Sequence, residues 1–145
     1  LFSPETNEAM IVIDLDTVMP GLIGHDFGDA IRFAANKVEE DCPEAALAQV
    51  NLEVFRAFAE GFLSMTAKTM TDTEVRTLAM SCFDLTAELA TRFLADYLDG
   101  DLYFNIRRPD HNLVRARCQI ALAKDMLKNM DEMEAIVEQC VRNSR

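Results

Sequence analysis

The chain has 145 residues, 50% of them hydrophobic, with four cysteines, no tryptophan and a formal net charge of -11. That length and apolar content suffice for one domain, residues 1–145, with a core of its own. The acidity disfavours nucleic-acid backbones and anionic membrane surfaces, which demand clustered Lys and Arg. No apolar run approaches the roughly 20 residues of a membrane span, and no secretory leader pattern opens the chain, so a cytoplasmic protein is the expectation. Cys42, Cys82, Cys118 and Cys140 are too widely spaced for a CxxC metal or redox motif and read as reduced, mostly buried thiols.

In chain order, Ile11, Val12 and Ile13 are continuous and β-branched, the pattern of a strand buried on both faces. Asp14 and Asp16 follow. If the strand persists to Asp16, both carboxylates leave on one face, roughly 7 Å apart by strand rise. Their mutual repulsion would be relieved by Mg²⁺, which takes one or two protein carboxylates and leaves its other positions to water and phosphate oxygens. After the Pro20-Gly21 loop the pattern turns helical. Asp26 is placed to cap a helix through Phe27 to about Lys37, with Ala30, Ile31, Ala34 and Ala35 as its apolar stripe. Asn51 reads as the cap of a second helix carrying Leu52, Phe55, Phe58, Ala59, Phe62 and Leu63. Thr71-Asp-Thr-Glu74 is a capping box that opens the longest helix, expected to run to Gly100. Asp110 is placed to cap a fourth helix through Leu113, Ala116, Ile120, Ala123 and Leu127. Asp131 begins a fifth, carrying Met133, Ile136, Val137 and Cys140.

The run Val12-Ile-Asp-Leu-Asp-Thr-Val-Met-Pro-Gly21, followed by His25-Asp-Phe-Gly-Asp-Ala-Ile-Arg32, resembles the aminoglycoside phosphotransferase superfamily and most closely its N-acetylhexosamine 1-kinase branch. The likeness continues more loosely through Tyr97–Tyr103 and Asp110–Arg117, and so covers most of the chain. It implies a mainly α fold, the helical carboxy-terminal lobe of a protein-kinase-like enzyme, with a short β-hairpin at the amino end. Leu1-Phe2 would be the hairpin's first strand and Ser3–Glu8 its turn. The superfamily's catalytic loop has a His-x-Asp core and an Asn five residues after the Asp. Neither that loop, nor a Gly-rich phosphate loop, nor the strand Lys that holds ATP phosphates occurs in this sequence. The resemblance therefore implies the carboxy-terminal part of a longer kinase, inactive alone.

The same resemblance assigns residues. It makes Asp14 a Mg²⁺ ligand and Asp16 a second or water-mediated one; the ordinary alternative for Asp14 is a turn-opening carboxylate at a strand end. The literal Asp26-Phe27-Gly28 does not fill the role of the protein-kinase tripeptide, because it opens a helix twelve residues after Asp14. Asp26 is instead implied to brace the catalytic loop from near the site, while Asp29 and Arg32 lie three apart on that helix and can pair. Arg92 shares a helical stripe with Leu78, Leu85 and Leu89 and needs a partner there; a salt bridge or a snorkelling side chain is its ordinary alternative. With Thr17 and Tyr103 it resembles a sugar-contacting set. The ordinary alternatives are a turn residue for Thr17 and a core aromatic beside Phe104 for Tyr103.

The function implied is ATP- and Mg²⁺-dependent transfer of a phosphoryl group to the hydroxyl of a sugar, an N-acetylhexosamine above others, by a larger enzyme. Choline, homoserine, hydroxylysine and aminoglycoside acceptors remain open, and cationic aminoglycosides would suit an acidic pocket. A non-catalytic helical interaction module also remains open. Nucleic acid and membrane are not expected as partners, whereas self-association through the face that would meet a nucleotide lobe is.

Overall fold

The computed structural model describes residues 1–16 and 18–145; Thr17 lies outside them. Among the described residues the chain is mainly helical: α1 (Ile23–Ala34), a 3-10 turn (Ala45–Leu47), α2 (Leu52–Thr66), α3 (Asp72–Leu98), α4 (His111–Lys128) and α5 (Met130–Ser144). Among the described residues no helix is long and apolar enough to cross a membrane.

The caps explain most of the boundaries. The Asn51 side chain accepts from the backbone N–H groups of Glu53 and Val54 (3.1 and 3.2 Å), satisfying two donors that an α-helix leaves open at its start. At α3, Thr71 Oγ1 accepts from Glu74 N (3.2 Å) while Glu74 Oε2 accepts from Thr71 N (2.7 Å), the reciprocal capping box that the sequence announces. The helix stops before Gly100, whose φ of +94° is costly for a residue with a Cβ.

Two expected caps are not used. α1 begins three residues before Asp26, with Leu22 at the cap position and no side-chain cap bond, and it ends at Ala34 rather than near Lys37. The chain then leaves the helix to form an antiparallel bridge between Asn36 and Val50, where Lys37 N donates to Gln49 O (3.0 Å). Asp110 stands at the cap position of α4 in a left-handed conformation (φ 59°) and makes no cap bond. Its carboxylate is engaged by Tyr97, whose hydroxyl donates to Oδ1 over 3.0 Å.

The long α3 is the axis. It packs most extensively on α4 and α1 and then on α5, while α2 lies against α5. Gly28 sets the α1–α3 approach: a Cβ there would sit 2.5 Å from the backbone oxygen of Ser81, so the helices meet closer than any larger residue allows. Phe27, beside it, is fully buried among Phe55, Phe58 and Phe62, with edge-on ring centroids 5.2–5.9 Å away. Leu63, Leu78, Leu122, Met126, Met133 and Ile136 complete a continuous core.

The amino-terminal segment departs from expectation. Phe2 and Ala9 form an isolated antiparallel bridge, closed by Ser3 N to Glu8 O (2.9 Å) and Met10 N to Leu1 O (3.0 Å). Ile11, Val12 and Ile13, however, are in no strand and are 59%, 74% and 53% exposed. β-branched residues favour a pleated surface only where neighbours cover it, and a lone two-stranded ribbon is marginal in water.

Candidate functional site

The helices bring together two of the expected sugar-site residues. Arg92, on the last turns of α3, holds its guanidinium carbon 5.6 Å from the ring centre of Tyr103 and 5.4 Å from that of Phe104. The two rings stand edge to face at 4.9 Å. Arg92 is not on the buried stripe of α3, which runs through Val75, Leu78, Ala79, Cys82, Thr86, Ala90, Phe93 and Asp96. It is exposed, with Glu88 one turn back at 3.6 Å. A guanidinium over aromatic faces gains attraction without being desolvated, so no buried counter-ion is required. Tyr103 is likewise exposed rather than a core aromatic. The result is a solvent-facing ledge with a cation, a phenol and an aromatic face.

What holds the ledge in place is Asp96, which the sequence reading did not single out. Its carboxylate accepts from three successive backbone N–H groups: Leu102 (2.9 Å), Tyr103 (2.7 Å) and Phe104 (2.9 Å). Asn112, buried at the start of α4, donates to Asp96 Oδ2 (2.9 Å) and Asp101 Oδ1 (2.8 Å). Desolvation works to raise the pKa of Asp96, but the N–H groups of Phe104, Tyr103 and Leu102 outweigh it and hold the carboxyl below its ordinary value. Asp96 therefore stays charged and fixes the loop after Gly100. The available signal was a polar residue on the inward register of α3, three positions after Phe93.

A second polar knot closes the same, amino-terminal end of α4. His111 is buried; its Nδ1 accepts from Arg107 N (3.1 Å), which leaves Nε2–H to donate to Asp41 Oδ2 (2.9 Å). Arg108 reaches the same oxygen at 2.8 Å. The Arg108 and His111 hydrogen bonds hold Asp41 below the usual carboxylate range. These contacts also explain why α4 is rotated from its expected register. His111, Asn112 and Gln119 face inward, whereas Leu113 is half-buried and Ile120 and Leu127 are exposed. Partnered polar groups such as His111 and Asn112 can take core positions that hydropathy alone gives to leucine and isoleucine; the buried Gln119 carboxamide has no such partner.

The remaining expected residues fall as follows. Asp14 and Asp16 are exposed on the amino-terminal segment, Asp14 in a left-handed conformation (φ 63°). They share no strand, so strand geometry does not set them on one face, and Thr17 lies outside the described residues. Among the described residues no three His, Cys, Asp or Glu side chains gather as a metal-binding group. Asp26 is exposed in the first turn of α1. Arg32 is buried and pairs with Asp29 Oδ1 through Nε (2.9 Å) and with Glu40 Oε1 through Nη1 (2.7 Å). The four cysteines are unpaired; Cys82, Cys118 and Cys140 are buried, and desolvation pushes all three thiols up. No protein-family model matches the chain.

Proposed function

We propose that the chain is the helical acceptor-binding lobe of an ATP- and Mg²⁺-dependent small-molecule kinase, and that its acceptor is a sugar, an N-acetylhexosamine first. The observation that supports this is the ledge itself. Arg92 and Tyr103, named from the sequence as sugar contacts, stand together on solvent, with Phe104 beside them and a backbone fixed by Asp96. A cation and a phenol can hydrogen-bond hydroxyls while the aromatic face covers the apolar side of a sugar ring. A site that pairs several hydroxyls discriminates against acceptors that leave those groups unpaired.

Asp14 and Asp16 supply two solvent-facing carboxylates, the hard oxygen donors that Mg²⁺ takes. When bound there, the ion would neutralise phosphate charge on ATP. The chain's own part is to hold the acceptor: Arg92 and Tyr103 orient it, and the Asp96 knot keeps Tyr103 in register. The general base and the nucleotide lobe belong, on this reading, to the rest of the enzyme. The exposed apolar residues Ile11, Val12, Ile13, Val18 and Met19 then face that lobe.

The deciding experiment expresses the enzyme from its complete reading frame and assays it with ATP, Mg²⁺ and a panel of hexosamines, choline, homoserine and aminoglycosides. Turnover of a hexosamine, abolished by Asp14→Asn, is the expected result. A complete reading frame without a His-x-Asp catalytic loop, or turnover indifferent to Asp14→Asn, would overturn it.

A further inference from the structure

Two of the four cysteines, far apart in sequence, meet at one backbone carbonyl. Cys118 Sγ, on α4, donates to Glu39 O over 3.5 Å, and Cys42 N, in the loop after α1, donates to the same oxygen over 3.0 Å. The thiols lie close enough to interact. Burial pushes the Cys118 thiol up and the neighbouring Cys42 thiol and Glu40 add to the rise, while the Asn36 amide and the Cys42 N–H work against it. Cys82 and Cys140, also buried, are shifted by no second cysteine. The surroundings of the pair differ. Cys118 is fully buried, whereas Cys42 is half-buried and stands in the wall of a groove of about 570 Å³ between the end of α1, the loop that follows it and the middle of α4. Cys42 Sγ makes only long contacts with Glu44, 3.7 Å to O and 3.8 Å to Oε2, which a weak S–H donor gives up easily as the side chain turns between staggered positions.

From this arrangement we infer that Cys42 and Cys118 are an attacking and a resolving thiol, which close to a disulfide when the chain meets a small uncharged disulfide. The Cys42 thiolate attacks one sulfur of the reagent R–S–S–R, forming Cys42–S–S–R and releasing RS⁻, which takes up the proton that Cys42 lost. Cys118, deprotonated in turn, attacks Cys42 Sγ; the bond from Cys42 Sγ to the R–S group breaks, and a second RSH leaves. Two protein thiols are oxidised, and one small disulfide is reduced to two thiols. An uncharged reagent is favoured because Glu39 and Glu40 line the groove and Glu44 stands at Cys42 Sγ. The new bond fastens the loop 39–42 to α4, beside the contacts of Asp41 with Arg108 and His111. The pair uses none of the residues assigned to phosphoryl transfer and does not depend on that reading.

The test exposes the folded chain to 2-hydroxyethyl disulfide, then unfolds it in N-ethylmaleimide and reads the products by intact-mass and tryptic-peptide mass spectrometry. Expected are a fall from four blockable thiols to two, and a linked pair of peptides, 38–56 with 118–124. Cys118→Ser should stop the reaction at Cys42 carrying one hydroxyethylthio group. Cys42→Ser, at the less buried of the two positions, should leave its three thiols free and keeps the test decisive if Cys118→Ser misfolds. The closed chain should melt at least about 5 °C above the reduced one, as a crosslink across a long loop implies. Four free thiols after exposure, or a wild-type chain that stops at the Cys42 adduct with Cys118 free, would overturn the pairing. A linked pair that includes Cys82 or Cys140, loss of two thiols in Cys42→Ser, or a closed chain that melts no higher would overturn it too.

Discussion

Asp96 and Asn112, sixteen residues apart, meet across the junction of α3 and α4: Asn112 Nδ2 lies 2.9 Å from Asp96 Oδ2 and also reaches Asp101 Oδ1 at 2.8 Å. One carboxylate thereby joins two helices and the loop that presents Tyr103. Asn112→Ala removes a donor to two carboxylates and should cost about 1.5–3 kcal/mol, the range for hydrogen bonds to charged groups. Urea unfolding of the chain with a shared m value measures it. A cost within about 0.5 kcal/mol, the scatter of ordinary surface substitutions, would mean that the knot is ornamental.

Acid should loosen the same region. The carboxyls of Asp96 and Asp41 both titrate below their ordinary value in the folded chain. The stability they contribute is therefore complete above the unfolded carboxylate pKa of ~3.9 and is lost as the pH falls through the folded values. Stability should be level near neutrality and fall below about pH 4. Asp96→Asn should lower stability at pH 7 and flatten the acid limb. An acid limb of unchanged slope in the variant would show that Asp96 is not among the groups responsible.

Gly28 and Gly61 should respond oppositely to alanine. At Gly28 the new Cβ would lie 2.5 Å from Ser81 backbone oxygen, a contact that only a shift of α1 against α3 relieves, so a loss of about 1–3 kcal/mol is expected. At Gly61, inside α2, nothing stands within 4 Å, and alanine should add about 0.5–1 kcal/mol through helix propensity. Paired thermal melts decide. A neutral Gly28→Ala would show that the crossing has slack.

Helix content was legible because the signals were local. Asn51, the Thr71–Glu74 box and Gly100 act within a few residues of themselves, and the stripe of α5 is unbroken from Met133 to Cys140. What was not legible depended on distant partners. The register of α4 turns on Asp41 and Asp96, which lie 70 and 16 residues from the α4 side chains they hold. The strand expected at Ile11–Ile13 lacks a covering layer, which no local pattern reveals. At the ledge the resemblance named Arg92 and Tyr103 but not Asp96, because a carboxylate that accepts from backbone N–H groups and one asparagine sixteen residues away leaves no motif. Arg92 itself was misplaced on the buried stripe; three to four residues of spacing from Leu89 fits the flank of a helix as well as its centre.

If the chain is the acceptor lobe of a kinase, Arg92→Ala in that enzyme should raise the acceptor KM by about 10- to 100-fold, as loss of a charged contact of ~1.5–3 kcal/mol implies, and leave the KM for ATP nearly unchanged. The fold should tolerate it, since Arg92 is exposed and its pairing with Glu88 at 3.6 Å is a surface contact of little worth. Arg92→Lys keeps the charge but loses the planar fork and the stacking on Tyr103 and Phe104, so it should recover only part of the loss. An unchanged acceptor KM in both variants would return Arg92 to a surface role and remove the main support for a sugar site at this ledge.

The amino-terminal segment gives the last test. Met10, Ile11, Val12, Ile13, Leu15, Val18, Met19 and Leu22 are all exposed within thirteen residues of sequence. Scattered apolar residues are ordinary on a protein surface, but eight in so short a stretch exceed what a lone soluble chain usually shows to water. If this stretch normally faces a nucleotide lobe, the isolated chain should associate, with the sedimentation coefficient rising over the micromolar range. Substituting Ile11 and Val12 by Asp should restore the monomer without changing the melting temperature, since neither residue contributes to the core. A wild-type chain that stays monomeric throughout would mean that the segment needs no cover, and would weaken the assignment of this face to a lobe contact.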